Sequence, residues 1–560
     1  MAVLQNLAAL DPIVRRPVPS LLAPLRRPIF RNRLIATFVS NTGGWMQATA
    51  AAWLMASLTP SPLLVALMQT ATSLPVLLLA LLAGAMADLF DRRHLLMLWT
   101  CWMLVTMLAL SCVTFFGLVQ PWILLLGTFL LGVGTAMNGP TWQAIVQELV
   151  PREELGTAVS LNAAGFNLAR AIGPAAGGFL LASCAALKNG AALVFLLDAM
   201  AFAGVLWILW TWQRAVQRPS ALPAERLVAS LRAGVRYARF SPGLSSILIR
   251  AATLTVGTSA LWALLPIVAR THMGSGAAGY GFLTGCVGLG ALTAAVLLPR
   301  IRERTDNETI VAAAVATLAV ALAILAWAPR NAPVIVALFC TGIAWTSIAS
   351  CLNLAVQLAV PSWVQARTLG LYQMVFVGGT ALGSLLWGAV AEAWGAPLAL
   401  TSAAVALMLG LVAFRNTPLA TEADADHTPA STTGSLAQSS PQLVIEPQLH
   451  EGPVLVTVDF RIDPARRGEF LTAIHDLRTI RLRSGASRWG IFRDPTDQAH
   501  YQELFLVDSW LEHLRLEERL TVSERARRDA AWNFHQDMLP PPQHFFIYAC
   551  SAAAGEACTA

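Results

Sequence analysis

Residues 134–178 read GTAMNGPTWQAIVQELVPREELGTAVSLNAAGFNLARAIGPAAGG, and this stretch decides the class of fold. It predicts two apolar helices joined by a short polar turn from Gln147 to Glu154. The second helix carries Arg170 and then Gly173-Pro174 deep inside an otherwise apolar run. A charge in such a place is expensive and normally faces a bundle interior or a water-filled path. The Gly-Pro pair and Gly177-Gly178 soften the helix and let a neighbour pack closely. The expectation is a polytopic membrane bundle.

The rest of the chain agrees. Of its 560 residues 56% are hydrophobic and only 12% charged. The mean hydropathy of +0.59 is far above that of a soluble protein. Eighteen Trp against five Tyr suit membrane interfaces. The net charge of +6 does not call for nucleic acid, because most basic residues of the apolar portion fall in short loops between hydrophobic runs. Six cysteines (Cys101, Cys112, Cys184, Cys286, Cys340 and Cys351) lie in apolar segments, and Cys550 and Cys558 at the C-terminus. None has metal-ligand or CxxC spacing, so no metal and no cofactor is expected.

A polar, basic arm occupies residues 1–33 and has no signal-peptide pattern. Runs long enough to span, each of about 20 residues or more, then recur. They fall near 34–57, 62–87, 94–118, 121–146, 157–185, 190–212, 244–269, 277–299, 308–328, 332–359, 365–392 and 396–415. That predicts an all-α membrane protein of twelve helices. One side of the bilayer receives Arg92, Arg93, Arg152, Arg214 to Arg239, Arg300 to Arg304, Arg367 and Arg415. The other receives Lys188, Arg270 and Arg330. The asymmetry predicts that both termini are cytoplasmic. In the middle loop, 213–243, Leu227, Leu231 and Val235 alternate with Arg232, Arg236 and Arg239 at helical spacing, as in an interfacial helix.

The two halves, 34–212 and 244–415, carry a repeat. Val146-Gln147 and Val150-Pro151 recur as Val356-Gln357 and Val360-Pro361, and Gly132, Gly173 and Gly178 recur as Gly342, Gly383 and Gly388. Both 356 − 146 and 383 − 173 give 210. A constant offset across loop and helix positions implies two six-helix halves related by duplication, with a pathway between them. A flexible linker follows at 416–450, then a soluble domain at 451–550 and a short tail at 551–560. Strands are expected at 454–460, 486–493, 501–507 and 544–549, with helices at 464–483 and 509–538. The order β-α-β-β-α-β suggests an α+β ferredoxin-like sandwich.

Gly84-Ala85-Met86-Ala87-Asp88-Leu89-Phe90-Asp91-Arg92-Arg93 joins the second and third spans. Gly84 permits close approach, Asp88 can cap a helix, and Arg92 and Arg93 can pair with carboxylates. The spacing resembles the signature loop of the major facilitator superfamily, with Asp91 where that family has Gly. Its second-half counterpart, Pro299 to Arg304, keeps mainly the basic residues. Gly173-Pro174-Ala175-Ala176-Gly177-Gly178 resembles the interface motif of proton-antiporting members. The arginine that many drug antiporters carry on the fourth helix has no counterpart between Trp122 and Val146.

The segments AMNGPTWQAIVQELVPREELGTAVSLN, NLARAIGP and SWLEHLRLEERLT resemble the branch that includes the enterobactin exporter and related secretion proteins with a C-terminal soluble domain. The resemblance implies a major facilitator bundle in the inner membrane that exports a small molecule, with protons as the coupled partner. Asp198 is the second intramembrane charge, and the spacing suggests that Arg170 and Asp198 approach each other and that Asp198 titrates. The alternatives are a static ion pair, or two groups pointing into separate polar pockets. Asn41, Trp45, Gln47, Asn138, Trp142 and Asn167, with Asn353, Gln357 and Gln373 in the second half, are candidate cavity residues. Trp and Asn also serve as interface anchors and helix glue.

The tail resembles the antibiotic-biosynthesis-monooxygenase type of ferredoxin-like fold. His475, Trp489, His513 and His535 invite a catalytic reading, but no cofactor loop accompanies them. A dimerising or regulatory role, through self-association of residues 451–550, is favoured. A membrane-anchored oxygenase and a non-transporting sensor are the alternatives.

Overall fold

The computed structural model describes residues 28–149, 155–184, 186–211, 234–271, 276–328, 331–415, 447–537 and 539–548. The expected arm up to residue 27, the turn at 150–154, the amphipathic stretch up to 233, the linker up to 446 and the tail at 551–560 lie outside the described residues. The chain divides into two compact units.

The first unit holds residues up to 219 together with 253–348 and 377–412. Its helices are α1 (Pro28–Leu58), α2 (Pro62–Leu89), α3 (Arg92–Phe115), α4 (Pro121–Leu149), α5 (Leu155–Ser183) and α6 (Leu187–Thr211). The larger parts of α7 (Pro242–Thr271), α10 (Asn331–Leu358), α11 (Ser362–Trp394) and α12 (Ala396–Phe414) belong to it too, with α8 (Ala277–Arg302) and α9 (Asn307–Trp327). Among the described residues, ten helices are long and apolar enough to cross a membrane, α2 to α4 and α6 to α12. The other two are also helical; α1 is diluted by Asn41, Thr42, Gly43 and Gly44, and α5 by Asn167, Arg170 and its glycines.

Local chemistry sets the helix ends. Ser61 caps α2, accepting from the Leu64 amide, and Pro62 fits the first turn, where its missing N–H costs nothing. Glu392, from the end of α11, accepts from the Ser61 hydroxyl at 2.8 Å and the Leu63 amide at 3.1 Å. The expected arm boundary at residue 33 is revised: α1 begins at Pro28, so Arg31 and Arg33 are helical.

The second unit comprises 220–252, 349–376 and residues from 413 onward. Its sheet has the order β2-β3-β1-β4, from β1 (Val454–Arg461), β2 (Arg488–Arg493), β3 (His500–Val507) and β4 (Gln543–Ile547), with every pairing antiparallel. Val454, Val456, Val458 and Phe460 alternate inward and meet Phe470, Ile474, Leu477 and Ile480 of α13 (Arg467–Ser484). The single helix expected over 509–538 is instead α14 (Trp510–Glu518) and α15 (Val522–Trp532). Thr521 opens α15 through a capping box: its hydroxyl accepts from the Glu524 amide while the Glu524 carboxylate accepts from the Thr521 amide.

The soluble part of this unit is joined to helix ends by charge. Glu512 on α14 accepts from Arg519 at 2.6 Å and from Arg236, in the helical stretch 234–239, at 3.3 Å. Arg519 lies 4.4 Å from the centre of the Trp363 ring at the start of α11, and Arg483 lies 5.5 Å over Tyr237. Burial pulls the pKa of Arg236 down from its ordinary value, and Glu512 acts against that shift. Replacing Glu512 by Ala strands Arg236 and Arg519 without their shared acceptor, a loss of about 3 kcal/mol. Hydrogen exchange should then accelerate at 234–240 and 510–520 and stay unchanged in β1 and β3. Unchanged exchange at 234–240 would show that this docking does not depend on Glu512.

Candidate functional site: the α5 interface and its charges

The motif at 173–178 forms two parallel stripes on α5. Gly173 and Gly177 face α1: a Cβ on Gly173 would lie 2.6 Å from Trp45 Cβ and 2.9 Å from the Thr42 carbonyl oxygen. A Cβ on Gly177 would lie 2.9 Å from Met46 Cα. Pro174 and Gly178, one position on, face α8. There a Cβ on Gly178 would meet Gly281 Cα at 2.7 Å, and one on Gly281 would meet the Pro174 oxygen at 2.6 Å. The contact continues in the opposite chain direction, with Gly285 against Ala175 and Gly288 against Ala171 and the Arg170 carbonyl. Real side chains do not fit at such distances, so α5 lies backbone to backbone on both neighbours. The Pro174 and Gly178 stripe thus joins a first-half helix to a second-half helix.

The repeat is visible as equivalent packing. Gly132 on α4 faces Ala71 and Pro75 of α2, and Gly342 on α10 faces Val287 and Ala291 of α8. Gly383 on α11 faces Val256 and Ser259 of α7, as Gly173 faces α1. Gly388 faces Leu63 and Ala66 of α2, as Gly178 faces α8. One position differs in kind: where the first half has Gly177, the second has Trp387, whose indole N–H donates to the Val256 oxygen at 2.7 Å.

Arg170 stands where the α5–α8 contact ends. Its guanidinium carbon lies 5.6 Å from the Trp45 ring on α1 and 5.8 Å from the Trp262 ring on α7. Trp262 in turn meets Trp345 of α10, ring centres 6.5 Å apart at 71°. Arg170 and Asp198 do not form the expected pair. Asp198 is fully buried on α6 against Gly43 of α1, where an added Cβ would come within 2.6 Å of its Oδ1. Neither carboxylate oxygen has a hydrogen-bond partner among the described residues. Equal depth in the bundle did not bring the two groups together, because Arg170 turns toward the indoles and Asp198 toward the glycine gap in α1.

The other candidates separate. Asn41 is half-buried; Gln47 is buried, with its Nε2 unpartnered. Asn138 donates to Thr100 at 3.3 Å and Asn167 to the Ala163 carbonyl of its own helix. Trp142 is taken up by Arg33, which stacks on its ring at 4.5 Å and donates to its carbonyl. Gln357 donates to Asn353 at 2.6 Å, while Gln373 is exposed; these three belong to the second unit.

In the loop between α2 and α3, Asp91 is the cap of α3, and the side chain of Asp88 lies outside what the structure describes. Asp91 accepts from the Arg93 and His94 amides at 2.8 and 3.1 Å, so the aspartate where the superfamily has glycine starts α3. Arg93 donates to the Leu209 and Trp210 carbonyls and so closes the end of α6. A Cβ on Gly84 would meet nothing within 4 Å. Asp306 takes the capping role before α9, accepting from Thr309, whose hydrogen bonds hold its pKa below the usual value.

Sequence reasoning missed Trp262, Trp345, Gly281, Gly288 and Gly43. The glycine spacing in GYGFLTGCVGLG, 279–290, was a usable signal for α8, whereas the two indoles were not separable from sixteen others. In the second unit, His475 bonds the Leu471 carbonyl of its own helix and His513 packs between Trp510 and Phe545. His535 accepts from the Arg461 amide. Each is thereby fixed in a structural contact.

Many membrane-crossing helices in two equivalent sets, joined by side-chain-free contacts, make a transporter bundle of the major facilitator type. The chain belongs to the transmembrane secretion effector family, whose model matches residues 19–552. It is 27% identical over 411 residues to the uncharacterized MFS-type transporter YfiS of Bacillus subtilis, covering 69% of this chain and 94% of that one. It is also 27% identical over 410 residues to the enterobactin exporter EntS of Shigella boydii, covering 70% and 94%. With the multidrug efflux pump Tap of Mycolicibacterium fortuitum it shares 25% over 393 residues, covering 68% and 93%. These relatives are matched over nearly their whole length, so close to a third of this chain has no counterpart in them.

Among solved structures, a bacterial homologue of the human lysosomal transporter Spinster, inward-facing and unoccupied, superposes with a TM-score of 0.56 at 13% identity. That match covers 69% of this chain and 96% of the other. The nucleoside transporter NupG gives 0.54 at 12%, covering 69% and 98%. These likenesses speak to the fold. The protein is therefore a multi-pass membrane transporter acting on a small molecule.

Gly178→Val overpacks the α5–α8 contact by about 1–3 kcal/mol or splays the helices. The purified variant should melt several degrees lower than wild type and lose transport, while Gly84→Ala should match wild type in melting. Equal melting of the Gly178 variant would contradict the packing.

Proposed function

We propose that this protein is a secondary exporter of the inner membrane, with twelve spans in two six-helix halves and both termini cytoplasmic. The halves rock about a midplane site, and the outward movement of cargo is coupled to inward movement of protons. The observation that carries the reading is the α5–α8 contact, with Arg170 at its end between indoles of the two halves. A contact made by backbone and glycine lets two helices slide with little side-chain rearrangement, as alternating access requires. Export, rather than uptake, draws support from the two relatives named as exporter and efflux pump. The cargo class in this reading is a siderophore, another secondary metabolite or a toxic compound. The loop of Gly84, Asp88, Asp91, Arg92 and Arg93 serves as the cytoplasmic latch, which Arg93 supports by tying α3 to the end of α6.

In this proposal Asp198 is the proton carrier. A carboxylate sealed in apolar protein without a partner is costly. Its charge is therefore tied to whether the bundle opens around it. Arg170 acts separately, on cargo. The sheet order, read from β4 as β4-β1-β3-β2, supports a ferredoxin-like domain of the antibiotic-biosynthesis-monooxygenase type at 451–550. Its role here is regulatory or dimerising. The engaged histidines argue against the oxygenase alternative.

Purified protein in proteoliposomes, loaded with cargo and given a pH gradient, tests the coupling. Asp198→Asn should abolish the response of transport to the gradient while leaving counterflow exchange within about twofold of wild type. Gradient-driven transport that survives in this variant would remove Asp198 from the coupling mechanism.

A further inference from the structure

The exporter reading leaves the cargo's chemistry open, and the surroundings of Arg170 narrow it. Arg170 brings a fixed positive charge into a membrane bundle, and among the described residues no carboxylate lies within ion-pair distance of it. Asp198, the other charge inside the bundle, packs against Gly43 of α1 instead. What surrounds the guanidinium instead is aromatic: Trp45 from the first half, Trp262 from the second, and Trp345 at the edge of Trp262. Arg170, Trp45, Trp262 and Trp345 are each half-buried, so guanidinium and indole surface is left for a ligand.

Resting on the exporter reading, we propose that this constellation binds a planar aromatic anion. The acidic group of the cargo occupies the Arg170 fork, and its ring lies against Trp45 and Trp262. Three features favour that class. A guanidinium presents paired N–H donors that match two oxygens of a carboxylate or of adjacent phenolates. Its positive charge, unneutralised by any acidic side chain among the described residues, gains most from an anion that arrives with the cargo. Indoles on both sides provide faces for a flat ring and exclude water from the ion pair. A cationic cargo would need the reverse arrangement, a carboxylate among the indoles, and the carboxylate of Asp198 faces α1 at Gly43 instead. Because Trp45 and Trp262 come from different halves, a ring held by both is held only while the halves are apposed, so binding and rocking are linked through the same residues.

The test uses the full chain purified in detergent and three probes: 2-naphthoate, its neutral counterpart 2-naphthamide, and cyclohexanecarboxylate. Calorimetry should give 2-naphthoate at least a tenfold tighter dissociation constant than either of the others. In Arg170→Gln the advantage of naphthoate over naphthamide should fall below twofold, and Arg170→Lys should retain an intermediate preference. Trp262→Leu should erase the advantage of naphthoate over cyclohexanecarboxylate while keeping the preference for charge. Unliganded melting temperatures within a few degrees of wild type establish that the variants are folded; if Arg170→Gln is not, Arg170→Lys and Trp262→Leu carry the test. Equal affinity for naphthoate and naphthamide in the wild type, or an undiminished difference in the Arg170 variants, overturns the proposal. Gradient-driven transport of a neutral or cationic compound, with no binding of naphthoate, would overturn the anion site yet keep the exporter reading. Absence of any gradient-driven transport would instead count against the exporter reading itself.

Discussion

The first unit depends on one constraint: α5 must touch two helices at once at distances that no side chain survives. Against α1 it presents Gly173 and Gly177, and against α8 Pro174 and Gly178, which meets Gly281. Lipid supplies no hydrophobic drive between helices, so such contacts draw on dispersion along the bare backbone. The position of Arg170 follows. One turn before Gly173–Pro174, it emerges where α1, α7 and α8 converge, and the aromatic residues there come from both halves. The second half repeats the scheme less tightly, with Trp387 in place of Gly177 and an indole-to-carbonyl hydrogen bond in place of a bare approach. Across the 210-residue offset the packing partners are equivalent, with a bare approach at Gly177 and a tether at Trp387.

Much of this was legible in the sequence because glycine spacing reports helix contact directly. Gly132, Gly173 and Gly178 and their copies 210 residues later all meet equivalent neighbours. Charge placement was less legible. Hydropathy gives the depth of Arg170 and Asp198 but not the rotation of their helices, and rotation sent one to the indoles and the other to Gly43. Local caps show the same limit. In the sequence Asp91 stands out only as a departure from the superfamily's glycine, and its role as the cap of α3, where its side chain meets the Arg93 and His94 amides, was not read there. Thr521 and Glu524 did carry the capping-box signature, which breaks the helix expected over 509–538.

In the second unit the strands themselves could be read from alternating residues such as Val454, Val456 and Val458. The docking of α14 could not. SWLEHLRLEERLT looks like an ordinary solvated face, since Glu512, Arg515 and Arg519 sit at helical spacing as surface pairs do. Their partners, Arg236 and Trp363, lie far away in sequence, 276 residues from Glu512 (512 − 236) and 156 from Arg519 (519 − 363). Close to a third of the chain has no counterpart in the three relatives compared, whereas the family model matches residues 19–552 and so includes the sheet of the second unit.

Mass spectrometry of culture medium and cell extract tests export most directly. It compares cells lacking the protein, cells expressing it, and cells expressing Arg170→Ala at equal membrane level. The account predicts a small aromatic acid that moves from cells to medium only with the intact protein. If no compound changed compartment, but one were chemically altered in a manner dependent on residues 451–550, export would be contradicted and the chemistry would belong to the appended domain.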